Sequence, residues 1–290
     1  MPYRWFGSMR LTLCLRRVLS PAVLALVVLW TLFPIWWAFA LSIKRSSDFF
    51  TAKILPFVQF RPTLDHWSDE WRALGDPAGL GRGLINSLFV ALLTACLSLL
   101  LGGLAAFGLI LLRRDNRPIW PLIAWFVLPR VLPPVVTVIP FSTLVRWLGL
   151  EDTRTALIAA HTTFGLPLAI LILYSAMIDM PGELLDAAQV DGCELPDALR
   201  LVIVPLLGPA LLAAGALCFA QSWNEFFYAL MNVQQRAHTA PLAVAALLNK
   251  DGIEFEYVGS HLLLVTLPPL LALLARRYLV HGLTLGAVKA

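Results

Sequence analysis

Long apolar segments alternate with short polar segments along the chain, and six of the apolar segments are long enough to cross a bilayer. A membrane-spanning helix needs about 20 predominantly apolar residues. The pattern predicts spans at 18–42, 84–111, 119–145, 156–179, 202–223 and 259–280. No strand pattern is needed, and the pieces between the spans are too short for a separate soluble domain. The sequence therefore predicts an all-α, polytopic membrane protein in which residues 1–290 form a single transmembrane domain.

The third predicted span is rich in proline, which removes backbone hydrogen bonds and kinks a helix. It contains Pro129, Pro133, Pro134 and Pro140. Membrane helices tolerate such kinks where neighbouring helices or a water-filled cavity satisfy the freed carbonyl groups. We expect this span inside the bundle, along a pathway. Two half-spans, or a kink without function, are the alternative.

The N-terminus has the basic start and apolar run of a secretory signal peptide. However, the apolar run from Val18 to Leu41 exceeds the core of about 7–15 residues that such peptides have. We therefore expect an uncleaved first span.

Six spans place both termini on the same side of the membrane, and basic residues favour the cytoplasm. The compact turn at 113–117 and the pair Arg16-Arg17 predict cytoplasmic termini. In that orientation the segment 181–205 is cytoplasmic, whereas 43–83 and 231–258 are external.

Composition supports a membrane location and excludes several classes of protein. The chain is 59% hydrophobic and 14% charged, against about 25% charged residues in soluble domains. Its net charge of +4 comes from basic residues clustered at span ends, so no nucleic-acid partner is indicated. The four cysteines and five histidines lack metal-ligand spacing, which predicts free thiols and no metal site. No lysine follows a glycine, so the chain lacks the phosphate-binding loop of an ATPase.

The polar segment 181–205 has the signals of two short helices. Pro181 suits the first turn of a helix, and Glu183 and Asp186 would lie near the positive end of its dipole. Gly192 can adopt the left-handed conformation that ends a helix, and Pro196 is expected to open the next one.

Small and acidic side chains on this segment suit docking to another protein. Ala187 and Ala188 are expected to present a small surface, flanked by acidic residues, that lies in a groove of a partner. A connector without any partner is the alternative from the residues alone.

The same segment resembles the coupling loop of ABC importer permeases. That loop is written Glu-Ala-Ala, three residues, Gly, nine residues, Ile-x-Leu-Pro. Here Asp186-Ala187-Ala188, three residues, Gly192, nine residues and Val202-Ile203-Val204-Pro205 reproduce its spacing in full. Aspartate replaces glutamate, and valine replaces the later aliphatic residues.

A second resemblance narrows the class to the carbohydrate-uptake branch, typified by the smaller permease of the bacterial maltose transporter. It rests on Trp223-Asn224-Glu225-Phe226 and on the tail at 277–289. The resemblance implies the maltose-type permease fold and an importer of a sugar, polyol or glycerol phosphate ester. The implied chain forms half of the translocation pathway, is not an enzyme and binds no cofactor itself.

The resemblance also implies partners in a bacterial inner (plasma) membrane. They are a second permease subunit in a heterodimer, two cytoplasmic ATPase subunits that use ATP and Mg, and an extracytoplasmic solute-binding protein. The tail at 282–290 is a second expected ATPase contact, and 231–258 is expected to meet the binding protein. The implied ATPase-coupling residues are Glu183, Asp186, Ala187, Ala188, Asp191, Gly192 and Pro205.

Polar residues within or near the spans are candidates for the solute pathway, because an intramembrane charge costs about 2.5–3.5 kcal/mol by insertion scales. Arg130 and Glu225 could pair across the bundle, or either could extend to an interface. Asn224 and Glu225 fit a gating or structural role as readily as binding, and His161 could be a packed polar residue. The predicted pathway residues are Arg130, Gln221, Asn224 and Glu225.

Two other classes of function fit less well. A stand-alone secondary carrier, the principal alternative, needs paired intramembrane ionisable groups and often an inverted repeat, and neither is clear. A membrane enzyme needs a catalytic cluster, and the chain has neither clustered histidines nor a Gly-x-Ser-x-Gly motif.

Overall fold

The computed structural model describes residues 5–49, 51, 53–72, 79–247 and 255–274. Within this part of the chain the regular structure is helical, and the β structure amounts to one isolated bridge between Pro56 and Phe60. The helical fold class is therefore confirmed. The predicted tail contact at 282–290 lies outside the described residues.

The helices are numbered along the chain. They are α1 (Trp5–Ser42), α2 (Asp65–Arg72), α3 (Leu80–Arg114), α4 (Trp120–Val131), α5 (Pro134–Trp147), α6 (Arg154–Ile178), α7 (Glu183–Val190), α8 (Leu195–Ala198), α9 (Val204–Leu206), α10 (Gly208–Trp223), α11 (Phe227–Asn232), α12 (Ala240–Ala246) and α13 (Phe255–Leu274). A short π-helical stretch, Leu199–Ile203, joins α8 to α9.

The chain divides into two compact units, of which the first comprises Met1–Asp69 and Lys250–Leu263. Around the C-terminal end of α1, aromatic rings cluster edge to edge. The His66 ring lies 6.0 Å from that of Phe49 and 5.7 Å from that of Tyr257 between centroids. These contacts tie the segment after α1 and the start of α13 into one small core.

The second unit comprises Glu70–Asn249 and Leu264–Ala290, and its core is formed by α3, α6 and α10. Membrane helices associate through small residues that let backbones approach. At Gly102 of α3 an added Cβ would lie 2.8 Å from Ala169 Cβ of α6, so only glycine fits this crossing. Trp223 at the end of α10 donates from Nε1 to Val265 O at 2.9 Å, a bond between two residues of this second unit.

The described residues contain three helices that are individually long and apolar enough to cross a membrane: Pro21–Ser42 within α1, together with α3 and α6. Two bent helix pairs raise the number to five if each pair is one span. The predicted count of six is therefore not confirmed. The sixth predicted span, 259–280, overlaps α13, of which Tyr257–Thr266 is a shorter apolar stretch, and its last residues lie beyond the described part.

The third predicted span is two helices. Helices α4 and α5 meet at 91° across the break at Leu132 and Pro133. Consecutive prolines explain the break, because Pro133 and Pro134 supply no backbone N–H for the helical bonds. The arrangement is the alternative of two half-helices rather than one continuous helix over 119–145.

The fifth predicted span begins later than expected. The pattern placed it at 202–223, but α10 begins at Gly208, after a bend of 79° from the preceding helical segment Leu195–Leu206. Pro205 lies before the bend and Pro209 lies after it, and neither has a backbone N–H to donate to a helical hydrogen bond. Residues 202–206 therefore lie before the bend, in the helical segment that precedes α10.

Candidate coupling surface and polar pocket

The end of α7 is a Schellman motif built on Gly192. The Gly192 N–H donates to Gln189 O at 3.0 Å, and the Cys193 N–H donates to Ala188 O at 2.9 Å. Gly192 has φ +86°, a conformation that favours glycine at this position. The prediction that Gly192 ends the helix is confirmed.

The start of α7 differs slightly from the prediction. The N–H groups of Leu184 and Leu185 bond three residues back, to Pro181 O and Gly182 O, both at 3.2 Å. This turn is tighter than an α-helix, so α7 begins at Glu183 and Pro181 lies before it. Glu183 does lie in the first helical turn, as expected.

The second short helix, α8, begins as predicted, with Pro196 in its first turn. Asp191 is exposed and caps the C-terminal end of α7. Pro205 is exposed within α9.

Helix α7 has one face in the core and one face in the open. Leu185 and Ala188 are buried and belong to the cluster formed with α3, α6 and α10. Leu184, Ala187 and Val190 are exposed on the other side, Val190 by 88%. The expectation that Ala188 presents an open surface is wrong, because residues three apart share a helix face and Leu185 directs that face inwards.

An ion pair connects α3 to α7. The guanidinium of Arg114, the last residue of α3, contacts the carboxylate of Asp186. Both side chains are about half exposed, and such pairs contribute about 0–1 kcal/mol, so this pair sets orientation more than stability. Sequence reasoning missed the role of Arg114 because the basic turn at 113–117 was used only as a signal for topology.

A pocket of about 380 Å³ opens where α7 meets α3 and α6. Its lining includes Phe107, Ile110, Met177 and Leu184. The pocket is largely apolar, with the guanidinium groups of the last turn of α3 at its edge.

A second pocket, of about 300 Å³, gathers most of the predicted pathway residues. It lies where the break between α4 and α5 faces α6, α10 and the start of α11. Its lining is Arg130, Leu132, Pro134, His161, Phe164, Gln221, Ser222, Glu225 and Tyr228. We call this set the polar pocket.

Arg130 is held by α6 and α10. Its Nη1 donates to Gln221 Oε1 at 3.0 Å and to Phe164 O at 3.3 Å. No ion pair joins Arg130 to Glu225 in the part of the chain that the structure describes. Each of the two charged groups has other partners, so of the alternatives left open by the sequence the direct pair is not the one observed.

Glu225 is held by α6 and α11. Both carboxylate oxygens accept from the Tyr228 N–H, at 3.0 and 3.1 Å, which caps the first turn of α11. His161 Nδ1 lies 2.7 Å from Ser222 Oγ. Its Nε2 lies 3.2 Å from Glu225 Oε2, an ion-pair distance without hydrogen-bond alignment.

The residues that line the polar pocket differ from the predicted pathway residues at two positions discussed here, Asn224 and Tyr228. Asn224 lies outside the pocket lining, and its Nδ2 donates to Ala220 O at 2.8 Å along its own helix. Tyr228, which was not predicted, joins the pocket through a hydroxyl 2.7 Å from Thr137 Oγ1. Nothing in the local pattern marked Tyr228, since its position depends on how α11 turns back against α5.

Comparison with known proteins places this architecture in a family. Residues 98–246, which include the coupling segment and the polar pocket, match the family described as "Binding-protein-dependent transport system inner membrane component". The chain belongs to this family. It is a non-enzymatic transport subunit of an inner membrane, and we refer to it below as the permease.

Relatives with assigned transport roles cover nearly the whole permease. A trehalose transport system permease protein of Mycobacterium tuberculosis is 35% identical over 94% of this chain and 98% of its own. A trehalose/maltose transport system permease protein of Thermococcus litoralis is 30% identical, covering 95% and 98%. A sulfoquinovosyl glycerol transport system permease protein of Agrobacterium fabrum is 31% identical, covering 89% of each.

A solved structure has the same fold. A chain from a bacterial ABC transporter involved in the import of the acidic polysaccharide alginate matches with a TM-score of 0.69. The match covers 96% of the permease and 99% of that chain at 21% identity. The ABC permease fold predicted from the sequence is thereby supported.

The segment that follows α11 in the permease is fastened by one carboxylate. Asp152, in the α5–α6 turn at φ +54°, accepts from the backbone N–H groups of residues 234–237 at 2.9–3.2 Å. Asn86 of α3 adds a bond from Nδ2 to His238 O at 2.7 Å. Burial raises the pKa of Asp152, but these backbone N–H groups outweigh burial and hold that pKa below its usual value.

We predict that Asp152→Asn loosens this segment and removes an acid-dependent contribution to stability. A carboxylate with a lowered folded-state pKa stabilises the fold above its unfolded pKa, and the contribution is lost as the pH falls through the folded value. The variant should lower the free energy of unfolding by about 1 kcal/mol at neutral pH, after allowance for solvent exposure. Asparagine tolerates the positive φ, so the backbone turn is kept, while the charge and one of the two acceptor oxygens are lost.

Thermal unfolding in detergent, followed from neutral pH to about pH 3, measures this difference. The gap between wild type and variant should close in acid. Glu151→Gln is the matched control, since Glu151 makes only an exposed contact of 3.7 Å to Arg146. An Asp152→Asn curve that overlays the wild type at neutral pH contradicts the role of Asp152.

Proposed function

We propose that the permease forms half of the translocation pathway of an ABC importer for a sugar or sugar-like solute, and that the segment 181–205 couples it to a separate ATPase. The named relatives serve trehalose, maltose or a sugar-glycerol conjugate, which supports a hydroxyl-rich solute. The observation that carries the coupling role is the two-faced helix α7.

The exposed face of α7 suits a groove on a partner. Leu184, Ala187 and Val190 recur every three residues and form a short apolar stripe, which is how an amphipathic helix docks. Glu183 and Asp191 add acidic groups at its two ends. We assign this face to the ATPase subunit.

The buried face of α7 connects the docking surface to the spans. Leu185 and Ala188 share one cluster with Met177 of α6, and with Ile203 and Leu207, which lead into α10. Packed cores move as bodies rather than deform continuously. A displacement of α7 by the ATPase would therefore be carried to α6 and α10, the two helices that hold the polar pocket.

We propose that the polar pocket is part of the solute pathway. Ionisable groups at membrane depth mark substrate pathways more often than packing, and this pocket combines them with the rings of Phe164 and Tyr228. Arg130, Gln221 and Glu225 offer donors and acceptors for solute hydroxyl groups. Asn224 keeps a structural role at the end of α10.

The rest of the assembly follows from this assignment. The permease pairs with a second, different permease subunit in a bacterial inner membrane, with both termini in the cytoplasm. Two ATPase subunits bind ATP and Mg on the cytoplasmic side, and a solute-binding protein delivers the solute from outside. Support comes from the family's binding-protein dependence and from the basic turn at 113–117.

We predict that Gly192→Pro uncouples ATP hydrolysis from uptake. Proline cannot adopt φ +86° and has no N–H for the bond to Gln189, a local cost of about 3 kcal/mol or more. Uptake of radiolabelled trehalose, maltose and glycerol glucosides, measured in cells, should fall about tenfold or more. The permease should remain in the membrane at its normal level.

Two control variants separate coupling from general damage. Gly149→Pro alters the other described positive-φ glycine, at φ +66° in the α5–α6 turn, and should leave the stimulation of ATPase activity by solute and binding protein intact. Gly192→Asn keeps a residue that tolerates positive φ and should retain uptake. Normal uptake by Gly192→Pro rules out the coupling role.

We predict that Gln221→Ala weakens solute transport whereas Asn224→Ala does not. The two amides lie three residues apart near the end of α10, but only Gln221 lines the polar pocket and bonds Arg130. The variant loses the hydrogen bond from the Arg130 guanidinium to Gln221, and a hydrogen bond to a charged group is worth about 1.5–3 kcal/mol. We expect the apparent KM for uptake to rise about tenfold. The reverse order of effects contradicts the assignment of the pathway to this pocket.

A further inference from the structure

The loop that follows α1 carries two apolar side chains almost fully in the open. Phe57 is 86% exposed and Val58 is 80% exposed, and Leu55 beside them is 48% exposed. Contiguous apolar groups of this kind mark interaction sites more often than chance exposure.

The tip of this loop is a built turn. The Phe57 N–H donates to Phe60 O at 3.0 Å, which closes the turn. The side chain of Gln59 turns back, and its Oε1 accepts from Ile54 N at 2.6 Å and from Leu55 N at 3.0 Å. Phe57 has φ +64°, an uncommon conformation for a large side chain. The backbone thus holds Phe57 and Val58 outwards.

The base of the loop is fastened to the two residues that directly follow α1. The Thr63 N–H donates to Ile43 O at 2.9 Å, and His66 Nε2 lies 2.8 Å from Lys44 O. The ammonium of the buried Lys44 lies 5.6 Å from the ring centre of Phe60 and donates to Thr51 O at 3.3 Å. The loop therefore stays at the end of α1.

These contacts fix how far the tip can lie from the bilayer. The membrane-spanning part of α1 ends at Ser42, next to the residues that hold Phe60. Phe57 is three residues from Phe60, a reach of about 10 Å at most. The headgroup layer on each side of the hydrocarbon core is roughly 5–8 Å thick, so the tip is within reach of this layer.

Charge and continuity with the span favour lipid over a protein partner. Arg45 and Arg61 are exposed in the segment that follows α1, on the two sides of the tip, whereas the charge of Lys53 is compensated by Asp48 at 2.7 Å. Basic residues near anionic headgroups contribute about 1 kcal/mol each. The side chains of α1 between residues 23 and 39 are also largely exposed and apolar, which suits lipid contact and continues into the loop.

We propose that the loop 53–61 is an interfacial anchor that inserts Phe57 and Val58 into an anionic lipid surface at the C-terminal end of α1. Its apolar tip and basic flanks are the two features that hold peptides in the headgroup region. The anchor fixes the height of α1 and of the loop in the bilayer. It does not depend on the identity of the solute or on the ATPase docking assigned above.

Electron paramagnetic resonance of the complete importer complex in liposomes tests the anchor. A spin label is placed at position 58 after Cys14, Cys96, Cys193 and Cys218 are replaced by serine. The bilayer contains phosphatidylglycerol, and the first measurement is made without solute-binding protein. Collision with oxygen, which concentrates in lipid, is compared with collision with a water-soluble nickel complex.

Position 151 is the control, because Glu151 is exposed in the α5–α6 turn and lies outside the coupling surface. The oxygen-to-nickel collision ratio should be several-fold higher at 58 than at 151. The ratio at 58 should fall when Phe57→Ser removes the neighbouring apolar side chain. Phosphatidylcholine alone should give a smaller ratio at 58.

Three outcomes would overturn the anchor. One is a label at 58 that is as accessible to nickel as the label at 151. Another is protection from both probes, which means that a protein subunit covers the tip. The third is protection only after solute-binding protein is added, which assigns the tip to that protein.

Discussion

The burial of two side chains of α7, Leu185 and Ala188, is the packing on which the proposed coupling depends. Their burial beside Met177, Ile203 and Leu207 makes a short polar segment part of the core of the membrane domain. Without this packing, α7 would be a loop that a partner could move without consequence. With it, α7 packs on α6 and against the residues that lead into α10, and we propose that these two helices link the exposed stripe of α7 to the polar pocket.

The charged side chains of the polar pocket have hydrogen-bond partners within the protein. In a bilayer, unpaired polar groups cost several kcal/mol each, so charged residues are kept only where partners or water meet them. Arg130 has Gln221 and a backbone carbonyl, and Glu225 has the first turn of α11. The break between α4 and α5 opens the space in front of these groups. Proline thus creates a cavity, and α6 and α10 line it with chemistry suited to hydroxyl groups.

Local signals in the sequence predicted local structure well. Gly192, Pro196 and the two long helices α3 and α6 follow from turn chemistry and from apolar length. Helix periodicity separates the two alanines of the motif, because neighbouring residues on an α-helix point about 100° apart. Ala188 is therefore buried although Ala187 is exposed.

Long-range contacts were beyond the sequence pattern. Asp152 binds a segment more than 80 residues away, and Arg114 reaches Asp186 across 72 residues. Neither pair has a spacing signal, because both depend on how separate helices end side by side. The sequence of the loop at 53–61 shows mixed charge and aromatic residues but no pattern that predicts an exposed tip. That exposure depends on the turn that the Gln59 side chain stabilises.

Photocrosslinking from α7 tests the central claim most directly. A photoreactive residue is placed at position 190 of the permease in its native membrane, and another at position 147, where Trp147 is 82% exposed at the end of α5. The account predicts that position 190 crosslinks to a P-loop ATPase and that position 147 does not. An ATPase adduct at 147, or none at 190 in a complex that hydrolyses ATP, would contradict it.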